Sequence, residues 1–266
     1  MSDVRVGILG LGRGFAHLRN FLATEGCHVV GACDWYESRH DRAREHLTVV
    51  EKQTKLFKEP EQLLELGLDA MVIASHGKVQ VEHACLAMEA GCHVVSEVPG
   101  AYTYDEVVQL RDTVERTGKT YMLAENTCFW DFFRYFRKWI TDDLFGYISL
   151  AEGEYLHYLP NTLQTPEGDR LTPTQVKSET RTDAVPIWRA DQPPIQYLTH
   201  DLGPLLEVLD DRCVSVTCRS AQSKSPEAPL RSDGQMALFE TAKGHIIKIL
   251  VTLNTRCPNE HRYRLF

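Results

Sequence analysis

Gly10 and Gly12 in the segment VGILGLGRGFAH (residues 6–17) have the type and spacing of an anion-binding turn. A strand that ends in Gly-x-Gly and runs straight into a helix leaves backbone N–H groups uncovered. A pyrophosphate can then rest on the helix N-terminus, where unpaired N–H groups and the helix dipole favour negative charge. Asp34 follows about 20 residues later, at the end of the next strand-like run, where a carboxylate suits ribose hydroxyls. The pattern predicts a dinucleotide site rather than a merely structural turn. The third fingerprint glycine is absent: Phe15 holds its place and Gly14 stands one residue early. Asp34 would repel a 2′-phosphate, so NAD is expected in preference to NADP, although Arg39 nearby could recruit one.

A second set of residues could move protons. Tyr155 and His157 alternate along a strand-like run, and a spacing of two puts both on one face. His200 stands in the segment THDLGP at a helix start. Histidine titrates near neutral pH and suits a base, and tyrosine can relay or donate a hydrogen bond. The bland alternatives are a packed or capping His200, with Thr199 or Asp201 as the cap, and a surface His157. Trp188 and Arg189, in a proline-rich stretch that suits a lid, are candidates to hold a hydroxyl-rich or acidic ligand, and Tyr197 joins them. Asn126 is a candidate amide donor or a turn residue.

Other reactive types read as structural. Cys128 sits beside Phe129 and Trp130 with no basic neighbour in sequence, so a packed thiol is expected. Most of the aromatic set from Phe129 to Trp139 is expected in the core. His83, His93, Cys85 and Cys92 lack zinc-ligand spacing, and no metal is required.

These residues need elements to position them. Residues 4–9, 28–33, 68–74, 93–96 and 120–124 read as strands; residues 14–23, 37–47, 80–90 and 104–116 read as helices. That alternation predicts an α/β, doubly wound parallel sheet. The pattern changes near Glu125. Residues 129–140 read as a helix, 147–157 as a strand, and 158–195 as a long loop with six of the twelve prolines. Residues 197–209 read as a helix interrupted by Gly203-Pro204. Residues 212–220, 235–241 and 245–253 read as strands of an α+β second domain with a mainly antiparallel, open sheet. The expected domains are residues 1–124 and 125–266.

Several segments carry a resemblance. LDAMVIAS (68–75) and ACLAMEAGCHVVSEVP (84–99) resemble the glucose–fructose oxidoreductase, inositol dehydrogenase and MocA (Gfo/Idh/MocA) family. That resemblance implies an N-terminal Rossmann domain for NAD, an open-sheet substrate domain, and hydride transfer on a carbohydrate or polyol. Glu97-Val98-Pro99 falls on the family's Glu-Lys-Pro motif, with Val98 in place of the lysine. His76 and Gln80 also stand where proline and histidine are usual. SEVPGAYT, MLAENTCF, AEGEYLHY and YLTHDLGP resemble a branch with NAD-dependent glycoside hydrolases of the α-N-acetylgalactosaminidase type. In that branch the sugar is oxidised, the aglycone eliminated, water added and the ketone reduced again, with NAD retained. The resemblance implies His200, Tyr155 and His157 as catalytic groups. It implies Gly10, Gly12, Arg13, Gly14, Asp34, Ser75, His76, Glu97 and Asn126 as cofactor contacts, and Trp188, Arg189 and Tyr197 as substrate contacts. A protein that keeps the fold without the chemistry is the remaining alternative.

Composition bounds the rest. The chain has 266 residues, 43% of them hydrophobic and 25% charged, which fits a folded globular protein. Its net charge of −8 argues against a nucleic-acid or anionic-membrane partner. No apolar run reaches bilayer length and no signal-like segment opens the chain, so a cytoplasmic protein is expected. The eight cysteines form no C-x-x-C pair and read as buried thiols. A homo-oligomer built through the second sheet is expected. The terminal segment HRYRLF resembles the start of a further strand, so a truncated or shortened member with an incomplete second sheet is expected.

Overall fold

A computed structural model describes residues 3–256 and 258–266. Cys257 therefore lies outside the described residues; the other seven cysteines are free thiols. The chain forms two compact units, residues 1–124 and 125–266.

The first unit runs β1 (Val4–Leu9), α1 (Gly14–Ala23), β2 (Cys27–Cys33), α2 (Glu37–Val49), β3 (Lys55–Phe57), α3 (Pro60–Leu64), β4 (Ala70–Ile73), α4 (Gln80–Glu89), β5 (His93–Ser96), α5 (Tyr104–Thr117) and β6 (Tyr121–Leu123). The sheet order is β3-β2-β1-β4-β5-β6, with every pairing parallel. Strand order reverses between β1 and β4, and ligands of such sheets bind at that switch point, beyond the strands' C-terminal ends. Burial explains the strands: Val6, Ile8, Val29, Ala32, Met71, Val72, Ile73 and Val94 are all nearly inaccessible, as expected of strands covered on both faces. Sequence reading missed β3 and α3. Both are short, and their periodicity spans too few residues to register. A Thr103–Glu106 capping box starts α5, and Gly118 in the left-handed region ends it.

The second unit opens with a 3₁₀ turn (Asn126–Phe129) and α6 (Asp131–Thr141). It continues with β7 (Leu150–Leu156), β8 (Leu163–Gln164), β9 (Arg170–Leu171), α7 (Pro173–Ser178), β10 (Val185–Pro186), α8 (Thr199–Leu209), β11 (Cys213–Ser220), β12 (Gly234–Thr241), β13 (Ile246–Thr252) and β14 (Glu260–Leu265). The main sheet order is β11-β12-β13-β7-β14; its pairings are antiparallel except β13 with β7. One face packs Phe239, Ile247, Ile249 and Val251 against Leu205, Val208 and Leu209 of α8. Residues 261–265 of the HRYRLF segment lie within edge strand β14.

Three expectations need correction here. The 158–195 loop contains a small sheet of order β10-β8-β9 and helix α7. Two-residue strands leave no periodic trace. The Gly203-Pro204 interruption does not occur: α8 runs unbroken with Pro204 inside it. Proline lacks the N–H that would bond the carbonyl four residues back. Here that carbonyl, of His200, is taken by the Tyr263 hydroxyl at 2.8 Å and approached by the Thr127 hydroxyl at 2.7 Å. In α6 only Phe133 is fully buried, whereas Phe132, Tyr135 and Trp139 are exposed, as is Phe129 in the 3₁₀ turn before it, so the aromatic set is mostly not core.

Candidate functional site

In the first unit, Gly10 ends β1 with φ +91°, and a Cβ there would meet the Ala74 carbonyl oxygen at 2.3 Å. Its own fold demands glycine. Gly12 differs: a Cβ would meet only the Arg39 guanidinium, at 3.5 Å. Internal packing leaves room for a side chain at Gly12, so the open backbone there fits a ligand approaching the turn. Gly14 would bring a Cβ within 3.1 Å of Ala74 and 3.2 Å of Ile8, so it supplies the close helix–strand contact of the missing third glycine. Phe15 packs partly into the neighbouring core cluster instead. No side chain caps α1.

Asp34 is buried, 6% exposed, and its oxygens are engaged by the chain. Oδ2 accepts from the Leu11 N–H at 2.7 Å and from Arg39 at 2.9 Å, and Oδ1 accepts from the Tyr36 N–H at 3.0 Å. The carboxylate thus ties the end of β2 to the glycine turn and anchors Arg39. Glu97, after β5, accepts from Arg13 Nε at 3.2 Å and lies 2.8 Å from His17 Nε2. Burial raises the Glu97 carboxyl, but His17 and Arg13 outweigh it and hold it below the ordinary glutamate range. His17 was missed in the sequence, since its partner is 80 residues away. Ser75 Oγ meets His83 Nδ1 at 2.8 Å, and His93 Nδ1 accepts from the Thr120 N–H, so both histidines have structural partners. His76 is exposed and caps the turn at Gly77–Val79.

The second unit gathers Tyr155, His157, Tyr197 and His200. Tyr155 is 6% exposed and lies at the centre. His157 stacks on it with ring centroids 3.8 Å apart; Tyr197 and His200 also lie near-parallel to it, at 5.2 and 5.5 Å. His200 Nδ1 meets Glu125 Oε1 at 2.8 Å, and the same oxygen accepts from the Thr127 N–H and hydroxyl. Glu125 Oε2 is buried without a partner among the described residues. Burial raises the Glu125 carboxyl, and the bonds to His200 and Thr127 bring it below the ordinary range. Burial pushes the Tyr155 hydroxyl far up, keeping it protonated. Burial, with His261 and His200 nearby, drives His157 down to about 4.

Two residues of this cluster were not predicted as reactive. His261 of β14 meets the Tyr155 ring edge-on at 4.9 Å, and its Nδ1 lies 3.0 Å from Asp201 Oδ1. Asp201, considered only as a cap, is fully buried. No side chain caps α8; Thr199 Oγ1 is buried without a partner among the described residues. The Asp201–His261 pairing joins segments 60 residues apart, which spacing cannot reveal.

Arg189 Nε donates to the Tyr197 hydroxyl at 2.8 Å and its guanidinium lies over the Trp188 ring. Trp188 is half-buried and packs on the core, so this segment is seated rather than a loose lid. Arg231, buried, donates to the carbonyls of Arg189, Leu159 and Leu253 and to Asn254 Oδ1, fixing the segment from beneath. Asn126 is exposed at the start of the 3₁₀ turn. Burial, then Glu207, pushes the Cys128 thiol up to about 12, which makes it a poor nucleophile. Among the described residues no three His, Cys, Asp or Glu side chains converge as a metal-binding group, and no helix is long and apolar enough to cross a membrane.

Residues 4–125 match the model of an oxidoreductase family with an NAD-binding Rossmann fold, GFO_IDH_MocA. An α-N-acetylgalactosaminidase of Shewanella oneidensis is 30% identical over 218 residues, covering 79% of this chain and 45% of that protein. A glycosyl hydrolase family 109 protein of Porphyromonas gingivalis is 28% identical, covering 99% of this chain and 58% of that protein. The chain thus spans about half the length of the relatives it matches. Among solved structures, scyllo-inositol dehydrogenase from Lactobacillus casei with bound NAD(H) and scyllo-inositol has a TM-score of 0.77 at 15% identity, covering 100% of this chain and 74% of that one. The myo-inositol 2-dehydrogenase from Lactobacillus plantarum has a TM-score of 0.76 at 16% identity, with the same coverages. Through residues 4–125 the chain belongs to the Gfo/Idh/MocA oxidoreductase family, with its NAD-binding Rossmann fold.

Proposed function

We propose that the chain is a nicotinamide-dinucleotide-dependent oxidoreductase acting at a carbinol of a carbohydrate or polyol. The observation that carries the reading is the 2.8 Å pair of Glu125 and His200 beside Tyr155. The first unit would hold the dinucleotide through Gly10, Gly12, Arg13, Gly14, Asp34, Ser75, His76 and Glu97. The dinucleotide would supply a hydride acceptor. Glu125 keeps the proton of His200 on Nδ1, which leaves Nε2 as the base for the substrate hydroxyl. Tyr155 remains a hydrogen-bond donor, suited to a developing alkoxide. Trp188, Arg189 and Tyr197 form a stacked, cationic wall suited to a sugar. Asp34 favours NAD over NADP, because a 2′-phosphate would meet its charge.

A second reading is redox-neutral glycoside cleavage, with the dinucleotide retained. Val98 in place of a lysine favours it, as do relatives named as glycoside hydrolases. One experiment separates the two: protein with bound dinucleotide is given glycosides and polyols. Net NADH formation supports the dehydrogenase, and aglycone release without net NADH supports the hydrolase. Protein that binds neither NAD nor NADP refutes both. We also propose that copies of the chain associate through the outer sheet face, which exposes Met236 and Leu238.

A further inference from the structure

A redox elimination moves two protons off the substrate before either returns. One leaves the hydroxyl of the oxidised carbinol. The other leaves the neighbouring carbon, made acidic by the new carbonyl. An imidazole that holds the first proton cannot accept the second, so the chemistry needs two bases. The second unit contains two carboxylate-backed imidazoles, Glu125 with His200 and Asp201 with His261, both against one tyrosine and with ring centroids 6.1 Å apart.

The second pair is constructed at a cost. Asp201 is fully buried, and its Oδ2 has no hydrogen-bond partner among the described residues. Burial raises the Asp201 carboxyl, against the downward pull of His261 and then Tyr263. Space is made for it: a Cβ on Gly153 would come within 2.8 Å of the Asp201 Cβ. Asp201 Oδ1 accepts from His261 Nδ1–H, so the lone pair of the imidazole lies at Nε2, for which the described residues provide no partner. The titratable groups facing His261 are Asp201 and His200 from α8, Tyr155 of β7, His157 just after it, and Tyr263 on its own strand. His157 is held too acidic to serve as this base, and Tyr155 stays protonated.

We propose that His261, oriented by Asp201, is a second proton-transfer residue of this site and takes the carbon-bound proton during glycoside cleavage. The inference rests on the redox-elimination form of the function proposed above. A bound nicotinamide dinucleotide would accept the hydride of the carbinol, whose hydroxyl proton passes to His200 Nε2. In the next step the proton on the adjacent carbon passes to His261 Nε2. The C–H electron pair becomes a C=C bond, the C–O bond to the aglycone breaks, and the departing oxygen takes the proton held by His200. Water then adds its oxygen to the carbon that bore the aglycone and gives a proton to His200 Nε2, while the proton on His261 returns to the neighbouring carbon; the hydride would return to the carbonyl carbon, and the proton on His200 to its oxygen.

The test is carried out on the whole chain loaded with NAD, with nitrophenyl glycosides as probes in D₂O. Proton NMR follows deuterium entry at the carbon beside the oxidised centre, and absorbance follows nitrophenol release. In His261→Gln, deuterium entry should fall about a hundredfold or more, and oxidation in a single turnover by a smaller factor. Asp201→Asn keeps the volume but replaces the carboxylate acceptor of the His261 Nδ1–H, so that proton's NMR resonance should move upfield, a readout independent of turnover. Wild-type protein that forms NADH without deuterium entry overturns the proposal and leaves the oxidoreductase reading standing. Deuterium entry at the wild-type rate in His261→Gln also overturns it. Wild-type protein inert toward every probe refutes the parent reading and the proposal with it.

Discussion

Glu125 Oε1 and His200 Nδ1 lie 2.8 Å apart across 75 residues of sequence. One sits at the entry to a 3₁₀ turn and the other in the first turn of α8. The Tyr263 hydroxyl donates to the His200 carbonyl where Pro204 cannot, so the helix that presents the imidazole keeps its first turn. Glu125→Gln removes the charge while keeping the shape. Loss of a backed general base costs about 10²–10⁴-fold, and hydride transfer measured in a single turnover should fall by that order. The Glu125 carboxyl is held below its ordinary range, so its contribution to stability is present above that range and lost as pH falls through its own lower value. Acid unfolding of Glu125→Gln should therefore be shallower than that of the wild type.

His157 should behave in the opposite sense to a paired histidine. With its midpoint at about 4, it stays neutral in the fold while an unfolded chain protonates near pH ~6.5. The unfolded state then binds the extra proton, so stability falls as pH drops from about 6.5 toward 4. Above that window both states are neutral and the effect vanishes. His157→Gln should remove this part of the acid sensitivity, as read from urea unfolding at pH 7 and pH 5. An NMR midpoint for His157 near 6.5 would contradict the reading.

The parallel sheet, its alternation with helices and the Gly10–Gly12 turn were legible because they rest on local periodicity and short motifs. The family resemblance stood on the segments around residues 68–99, and the family model matches there. The two-residue strands β8, β9 and β10 were not legible, being too short to carry a pattern. His17, Asp201 and His261 were missed for another reason. Each gains its meaning from a partner 60 to 80 residues away, fixed only once a strand or helix has packed. Pro204 misled: its effect on α8 depends on the Tyr263 hydroxyl, which no local window contains.

Gly10 and Gly12 should respond differently to alanine. Gly10→Ala puts a side chain into a positive φ and against the Ala74 carbonyl. Strain alone should cost about 1–3 kcal/mol, visible as a lower thermal midpoint. Gly12→Ala meets only the Arg39 guanidinium, at an ordinary contact distance of 3.5 Å, so its stability should stay near wild type. Its affinity for dinucleotide should fall sharply, because the methyl group occupies the backbone approach. Calorimetric titration with NAD beside thermal unfolding of both variants checks the pair. Unchanged NAD affinity in Gly12→Ala would place the dinucleotide elsewhere.

Gly153 tests whether the Asp201–His261 pair is what that stretch of β7 accommodates. In an ordinary strand interior, glycine is worse than alanine by roughly 0.5–1 kcal/mol. Here the sign should reverse. The new Cβ would stand 2.8 Å from the Asp201 Cβ and 3.0 Å from Ile249 Cδ1, both packed, and overpacking of this kind costs about 1–3 kcal/mol. The least costly relief is an outward shift of the start of α8, which would carry His200 from Glu125 as well as Asp201 from His261. Gly153→Ala should thus lose stability and activity together. Shortening residue 201 removes the opposing atom, so Gly153→Ala combined with Asp201→Gly should be more stable than the sum of the single changes by at least about 0.5 kcal/mol. Additive losses in a urea-unfolding cycle would mean that the strain is taken up at Ile249, and that Asp201 has room to move without disturbing the histidines.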